Sequence, residues 1–257
     1  GNHMNIQGKT ILITGGASGI GLEAVKQFLA NGATVIITGR NQHKLDTAKA
    51  QYPAITAIQS DVANESDTVA LLEHIRALGG IDILYNNAGI SSKPINFGKP
   101  DVRHFDQARA EMDINYLGVI RMNNLFMDML ASRPEAAIIN TSSILSYVPA
   151  NIGATYSASK VAVRFYTEAL RRHLRIIHSP VQVFELLPPL VATDMAEGFK
   201  SGAISPEKLV NGLIAGLKND TPTIRVGMTK IMHLISRVSP SLASKLLNST
   251  KANAPLQ

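Results

Sequence analysis

The stretch Thr10–Ala30, TILITGGASGIGLEAVKQFLA, decides the fold. Its first part, TILIT, has the β-branched and apolar residues of a strand that is buried on both faces. A glycine-rich turn follows, and Leu22–Ala30 then has the spacing of an amphipathic helix. A strand that passes through a short turn into a helix is the first half of a βαβ unit.

The same alternation continues along the chain. Helices are indicated at Asp67–Leu78, Phe105–Leu130 and Ser157–Ile177. Further strands are indicated at Thr34–Thr38, Ile55–Gln59, Ile81–Asn87, Ala136–Ser142, Val181–Leu187 and Pro222–Val226. The pattern predicts an α/β, Rossmann-type, doubly wound parallel sheet of about seven strands with helices on both faces.

Composition indicates an ordinary globular protein, because the 257 residues are 45% hydrophobic and 17% charged. Gly1–His3 is interpreted as an expression remnant, and residues 4–257 as a single domain. The chain has no cysteine, and its histidines show no metal-ligand spacing, so no metal site is expected. No apolar run reaches the roughly 18–20 residues of a membrane span, and a cytoplasmic location is therefore expected.

The formal net charge is +6, yet the densest basic run, RRHLR at Arg171–Arg175, is best explained as a solvated helix face. No nucleic-acid-binding motif accompanies it, and no nucleic-acid partner is expected. In the C-terminal tail, residues 228–257, the segment Met228–Leu247 is amphipathic and interrupted by Pro240. It is expected to cover the core, line a substrate pocket or lie at a subunit interface, with membrane attachment as the weaker alternative.

The glycine-rich turn TGGASGIG, Thr14–Gly21, lies between a strand and a helix. Such a turn lets backbone N–H groups and the helix N-terminus approach a pyrophosphate. The spacing is G-x-x-x-G-x-G, and a tight turn without a ligand is the alternative interpretation. The candidates for dinucleotide binding in this turn are Gly15, Ser18, Gly19, Ile20 and Gly21.

Three further strand ends extend this candidate site. After the second strand comes Arg40, where an acidic residue would select NAD and an arginine binds the 2′-phosphate of NADP. NADP(H) is therefore favoured, with NAD(H) and a merely solvated Arg40 as the alternatives. After the third and fourth strands, SDV and NNAG supply the candidates Asp61, Val62, Asn87, Ala88 and Gly89.

Tyr156 and Lys160 are four residues apart on a predicted helix, so they share one face. Tyrosine has an ordinary pKa of about 10, and a nearby cation lowers it by stabilising the phenolate. An exposed pair without a role is the alternative for an isolated spacing of this kind.

Several motifs together resemble the short-chain dehydrogenase/reductase family over Asn5–Val226. They are TGGASGIG, NNAG, Asn115 in NYLG, Ser143 in NTSS, and YSASK at Tyr156–Lys160. The resemblance implies an NAD(P)-dependent oxidoreductase that acts on CH–OH or C=O groups. Glu185–Met195, ELLPPLVATDM, further resembles a subgroup of oxidoreductases associated with teichoic-acid D-alanylation genes.

The resemblance also implies roles for single residues. Tyr156 would be the general acid/base, and Lys160 would tune it and bind the nicotinamide ribose. Ser143 would orient the substrate oxygen, with Ser142 as its rival. Asn115 would hold a water that links the lysine to solvent, unless it is only a helix-interior side chain bonded to backbone.

Two segments depart from the family pattern. Leu145 and Ser146 follow the serine where the family often has glycine, and Pro188-Pro189 replaces the usual Pro-Gly. Proline at position 189 removes an N–H donor, so a changed nicotinamide loop is expected, with Pro188, Val191 and Thr193 as cofactor contacts. The predicted pocket is mainly apolar and is formed by Leu145, Tyr147, Val148, Ile152, Met195 and Phe199.

These observations predict an NADP(H)-dependent oxidoreductase acting on an apolar carbonyl or alcohol compound. The alternative is a non-catalytic protein that binds NADP(H) in a regulatory or scaffold role. By resemblance, the helices Phe105–Leu130 and Ser157–Ile177 would pack in the interface of a homodimer or homotetramer.

Overall fold

A parallel sheet forms the centre of the computed structural model, which describes residues 3–190 and 203–257. In these residues seven strands occur in the order β3-β2-β1-β4-β5-β6-β7. All neighbouring pairs are parallel. The strands are β1 Thr10–Thr14, β2 Thr34–Gly39, β3 Thr56–Gln59, β4 Ile83–Asn86, β5 Ala136–Thr141, β6 Val181–Leu187 and β7 Thr223–Arg225.

Helices connect the strands and cover both faces of the sheet. They are α1 Gly19–Ala30, α2 Gln42–Gln51, α3 Glu65–Ala77, α4 Arg103–Met112, α5 Gly118–Ala131, α6 Ala154–Ile176, α7 Pro206–Lys218, α8 Met228–Val238 and α9 Pro240–Leu247. A π-helical turn, Asp113–Leu117, joins α4 to α5. No helix in the described ranges has the length and hydrophobicity that crossing a membrane requires.

Strand side chains alternate between two hydrophobic cores, one on each face of the sheet. Ile11 and Ile13 of β1 pack in the core that contains Phe28 of α1. Leu12 points to the opposite face, into the core that contains Phe126 of α5. Both faces are therefore apolar, as the sequence predicts for a doubly wound sheet.

The strand order reverses between β1 and β4, which pair with Ile13 opposite Tyr85. In an open parallel sheet, ligands bind beyond the carboxyl ends of the strands at such a switch point. The loops after β1 and β4 are therefore the place where a ligand is expected.

The predicted strands and their order of alternation are confirmed, with ends that shift by up to two residues. The prediction of one helix over Phe105–Leu130 is wrong in detail, because the π-helical turn interrupts it. The sequence pattern did not indicate α2, which buries only Leu45 and Ala48 and so has little periodic signal. The predicted break at Pro240 is confirmed, since α8 ends before it and α9 begins at it.

Candidate active site

The turn between β1 and α1 brings backbone segments unusually close. Gly15 has φ 63°, a conformation that side chains disfavour. A Cβ on Gly21 would lie 2.1 Å from the Gly15 carbonyl oxygen. The turn is thus a cradle that two glycines hold open, as the pyrophosphate hypothesis requires.

The N-terminus of α1 faces this cradle with its donors available. Ser18 is the N-cap in an extended conformation, and its side chain makes no capping hydrogen bond. The first turn, Gly19–Gly21, contains no acidic residue. Free N–H groups and the positive end of the helix dipole suit an anion, so this part of the site fits a dinucleotide.

The loop after β4 is tied to the glycine turn across the switch point. Thr14 Oγ1 accepts hydrogen bonds from the N–H groups of Asn87 and Ala88, both at 3.0 Å. Asn87 Nδ2 donates to the Gly15 carbonyl at 3.1 Å. The structure therefore brings the first and fourth predicted cofactor segments together.

Arg40 lies at the carboxyl end of β2 with an exposed side chain. In the described residues its guanidinium has no hydrogen-bond or ion-pair partner, while its backbone carbonyl accepts from Gln59 Nε2 at 3.0 Å. Asp61 Oδ1 accepts from the Ala63 N–H at 2.9 Å, and Val62 is buried. These residues line the same edge of the sheet as the glycine turn.

Lys160 and Tyr156 project from the first turns of α6 toward this edge. The Lys160 ammonium is buried, lies 5.6 Å from the centre of the Tyr156 ring and donates to the Thr141 carbonyl at 3.0 Å. A Cβ on Gly89 would be only 3.8 Å from Lys160 Nζ. The lysine therefore lies between the tyrosine and the loop after β4.

The expected lowering of the Tyr156 pKa by Lys160 is wrong for the chain by itself. Burial, together with the negative charge of Glu111, raises the pKa of Tyr156 to about 12. Burial also lowers the pKa of Lys160 to about 8, and its ammonium is directed at the Thr141 carbonyl. At neutral pH the phenol is therefore protonated.

Two neighbouring serines after β5 have different partners. Ser142 Oγ donates to the buried carboxyl of Glu185 at 2.6 Å, so its proton is already used. Ser143 Oγ accepts from the Leu145 N–H at 3.0 Å, which leaves its own proton to donate. The geometry supports Ser143 over Ser142 as the group that orients a substrate oxygen.

Asn115 lies in the π-helical turn and is buried. Its Oδ1 accepts from the Ile90 N–H at 2.8 Å, and its Nδ2 donates to the Ile90 carbonyl at 2.9 Å and to Ser159 Oγ at 3.1 Å. These bonds agree with the simpler interpretation of a side chain bonded to backbone. They also fix the loop after Gly89 beside Lys160, and π-helical turns are frequent at functional sites.

A buried amide network below the site was not predicted as a unit. Asn86 Nδ2 donates to Asn123 Oδ1 at 2.8 Å and to Asn140 Oδ1 at 3.0 Å. Asn140 Nδ2 donates in turn to Thr167 Oγ1 at 3.0 Å. This network links β4, β5, α5 and α6, the elements that carry the catalytic candidates. Asparagine at two buried strand ends, in NNAG and NTSS, is the sequence signal that could have indicated it.

Glu111 is a second residue that the sequence did not single out. It is buried in α4, accepts a hydrogen bond from Thr155 Oγ1 and lies close enough to Tyr156 to act on its pKa. It precedes Asn115 by four residues, so both project from one side of the helix.

The surroundings of Tyr156 are apolar. Leu145, Ala150 and Met232 form a cluster against which Tyr156 packs. Tyr147 lies outside that cluster. Arg225 Nε donates to its hydroxyl at 3.0 Å, and the Arg164 guanidinium lies 4.9 Å from the centre of its ring. The tail thus packs against the segment around Tyr156, and its lining of a substrate pocket stays a prediction.

The loop after β6 is only partly described. The Pro188 carbonyl accepts from the Ile144 N–H at 2.9 Å, which joins this loop to the serine segment. Val191, Thr193, Met195 and Phe199 lie outside the described residues, so their predicted contacts stay predictions.

The fold, with its glycine turn at the switch point of the sheet, is typical of nucleotide-binding oxidoreductases. Residues 9–203 match the model of the short chain dehydrogenase family. The chain belongs to this family of NAD(P)-dependent oxidoreductases.

Two relatives share most of their length with this chain. An uncharacterized oxidoreductase, DltE, of Bacillus subtilis is 36% identical over 222 residues, which are 84% of this chain and 86% of that protein. This similarity supports the subgroup to which Glu185–Met195 points. A 3alpha-hydroxysteroid dehydrogenase of Mediterraneibacter gnavus is 31% identical over 231 residues, which are 87% of this chain and 86% of that protein.

Two solved structures share the fold. A short chain dehydrogenase of Burkholderia cenocepacia in complex with NADP has TM-score 0.83 at 27% identity, covering 95% of this chain and 99% of its own. A 3-ketoacyl-(acyl-carrier-protein) reductase of Brucella melitensis, complexed with NADH, has TM-score 0.75 at 27% identity, covering 83% and 91%.

Proposed function

We propose that the protein is an NADP(H)-dependent reductase of an apolar carbonyl compound, with Tyr156 as the proton donor and, in the reverse direction, the acceptor. The observation that carries this proposal is the position of Lys160 between Tyr156 and the loop at Gly89. The steroid dehydrogenase among the relatives and the apolar cluster at Leu145 support an apolar substrate.

The cofactor would be held at the switch point of the sheet. The turn Gly15–Gly21 would hold its pyrophosphate, and Asn87–Gly89 would lie against the nicotinamide ribose. Arg40 would pair with the 2′-phosphate that distinguishes NADP from NAD, since guanidinium binds phosphate in a bidentate manner. When bound, the cofactor supplies or accepts the hydride.

The protein's own part is the proton and the orientation of the carbonyl. Ser143, with its proton free, would donate a hydrogen bond to the substrate oxygen and polarise it. The protonated Tyr156 would then give its proton to the oxygen as negative charge develops there. A phenol whose pKa is about 12 is protonated at neutral pH and therefore carries the proton that this step requires.

Lys160 would act on both Tyr156 and the cofactor. Its buried ammonium would stabilise the phenolate that remains after proton transfer and so oppose the effect of burial on the pKa of Tyr156. Its proximity to the loop at Gly89 would also let it hold the ribose. Asn115 would keep that loop in place through its two bonds to Ile90.

We further propose a homodimer or homotetramer, in which α4 to α6 form the contact between subunits. Large apolar side chains on these helices are exposed in the single chain, namely Phe105, Leu117 and Phe165. Exposed patches of this kind mark interaction sites. The cytoplasmic location expected from the sequence stays a prediction.

The test is oxidation of NADPH and of NADH with a panel of ketones and aldehydes that includes steroid ketones. Activity with NADPH that Tyr156→Phe abolishes, while the variant still binds NADPH, is the expected result. Binding of NADPH without turnover of any compound would support the non-catalytic alternative, for which the N–H donor missing at Pro189 is the motivating observation.

Cofactor choice is tested by Arg40→Gln. Removing a guanidinium that pairs with a phosphate should weaken NADPH binding about tenfold or more and leave NADH binding unchanged. Equal effects on both cofactors, measured by fluorescence titration of the same variant, would contradict the role of Arg40.

A further inference from the structure

The two C-terminal helices both expose aliphatic side chains. On α8, Ile231, Leu234 and Val238 are 51%, 64% and 80% exposed and recur at the spacing of one helix face. On α9, Leu242 and Leu246 are 48% and 59% exposed and lie one turn apart. We call these five residues the aliphatic strip.

The strip is not the face by which these helices attach to the domain. Thr229 Oγ1 donates to the Leu187 carbonyl at 3.0 Å, and Met232 packs in the cluster with Leu145. On α9, Ala243 is buried, and beyond its end Asn248 Nδ2 donates to the Pro149 carbonyl at 2.9 Å. The helices are therefore anchored by one side while the strip is on the other.

The segment that carries the strip has charge of a single sign. Residues 221–257 contain no Asp or Glu, so their five Lys and Arg residues give +5 of the chain's formal +6. Lys230 and Arg237 are exposed and seven residues apart, so they form a basic row beside the strip on α8. The five basic residues are Arg225, Lys230, Arg237, Lys245 and Lys251.

We propose that the aliphatic strip docks on the surface of an anionic lipid membrane. A helix with one aliphatic face and a basic flank lies in the interface plane, where its side chains enter the acyl region and its cations meet anionic headgroups. No span is involved, since binding is peripheral and reversible.

The charge argues against a second copy of this chain as the occupant. A symmetric interface through the strip would bring two basic segments against each other, and like charges across an interface are unfavourable. Residues 221–257 also lack aromatic residues, which usually supply the binding energy of protein interfaces.

The two helices that carry the strip also pack beside the candidate active site. Met232, Ile235 and Leu247 belong to the same two helices and pack in the cluster that contains Tyr156. If the proposed function holds, an apolar substrate dissolved in the bilayer would enter beside the tyrosine. The docking itself does not depend on any reaction.

The test is co-sedimentation of the full chain with vesicles of phosphatidylcholine alone or with about one quarter phosphatidylglycerol. We expect partitioning about tenfold or more stronger to the anionic vesicles, which weakens as NaCl rises from about 0.05 M to about 0.5 M. Leu234→Ser/Val238→Ser should lose this binding. Val69→Ser/Leu78→Ser removes two exposed aliphatic residues of α3 and its C-terminal end, away from the strip and from the proposed subunit contact, and should bind like the parent.

Two charge variants measure the electrostatic contribution to vesicle binding. Lys230→Gln/Arg237→Gln should lose most of the preference for phosphatidylglycerol, whereas Lys26→Gln/Lys44→Gln, with exposed lysines elsewhere, should keep it. Circular dichroism and urea denaturation check that all variants fold.

Equal binding to both vesicle types, or equal binding by the parent and Leu234→Ser/Val238→Ser, would overturn the proposal. So would absence of vesicle binding together with self-association that the strip variant abolishes in analytical ultracentrifugation. NADPH oxidation is measured without vesicles, so that a failure of the proposed function can be told apart from a failure of membrane binding.

Discussion

Replacing Gly21 with alanine tests the cofactor cradle most directly. The new Cβ would lie 2.1 Å from the Gly15 carbonyl oxygen and 2.7 Å from Asn87 Nδ2. An ordinary C···O contact is about 3.3 Å, so the carbonyl has to move by roughly 1 Å. That movement also breaks the 3.1 Å hydrogen bond from Asn87 to Gly15.

The magnitude follows from three opposing effects. Overpacking of a rigid site costs about 1–3 kcal/mol, and a lost hydrogen bond costs about 1 kcal/mol. Alanine in a helix is favoured over glycine by about 1 kcal/mol, which offsets part of this loss. We expect a net decrease of roughly 1–3 kcal/mol in the free energy of unfolding and NADPH binding about tenfold or more weaker.

Urea denaturation and fluorescence titration with NADPH measure both effects. Gly39→Ala is the matched control, because its Cβ would meet Leu45 at an ordinary 3.5 Å. The control should keep its unfolding free energy to within about 0.5 kcal/mol. If Gly21→Ala has the same unfolding free energy and the same NADPH affinity as the parent, the turn does not hold the pyrophosphate.

Three further predictions concern the serines and the buried titratable groups. Ser143→Ala should lower kcat about 10²-fold with little effect on stability. Ser142→Ala should instead lower the unfolding free energy by roughly 1–3 kcal/mol, because Glu185 loses its hydrogen-bond donor. If kinetics and denaturation do not separate the two variants, the roles assigned to the two serines are wrong. Burial holds the pKa of Glu185 above its ordinary value, so the folded state binds this proton more tightly and stability falls as pH rises above that value. Glu185→Gln should therefore be more stable relative to the parent at about pH 8 than at about pH 5, and a constant difference in urea midpoints would contradict this. Burial lowers the pKa of Lys160 from 10.5 to about 8, so the parent should gain stability as pH rises through that interval, and Lys160→Met should flatten the rise.

Much of the fold was predictable because its signals are local. Each strand is a short run of β-branched and apolar residues, and each turn or helix start is encoded by a few neighbouring residues. The glycine turn at Gly15–Gly21 and the loop at Asn87–Gly89 were predictable for the same reason. Helix α2 was missed because a helix with two buried residues leaves almost no periodic pattern.

The amino-acid sequence by itself determined the strand–helix order, the glycine cradle and the placement of Tyr156 and Lys160 on one helix face. Only the tertiary structure decided which serine is free to donate, that Glu111 acts on Tyr156, and that burial raises the pKa of the phenol. The physical reason is the distance along the chain over which each property is determined. Helix spacing is fixed within one turn of chain, whereas the solvation and charge around a titratable group come from segments that are distant in sequence and meet only when the sheet closes.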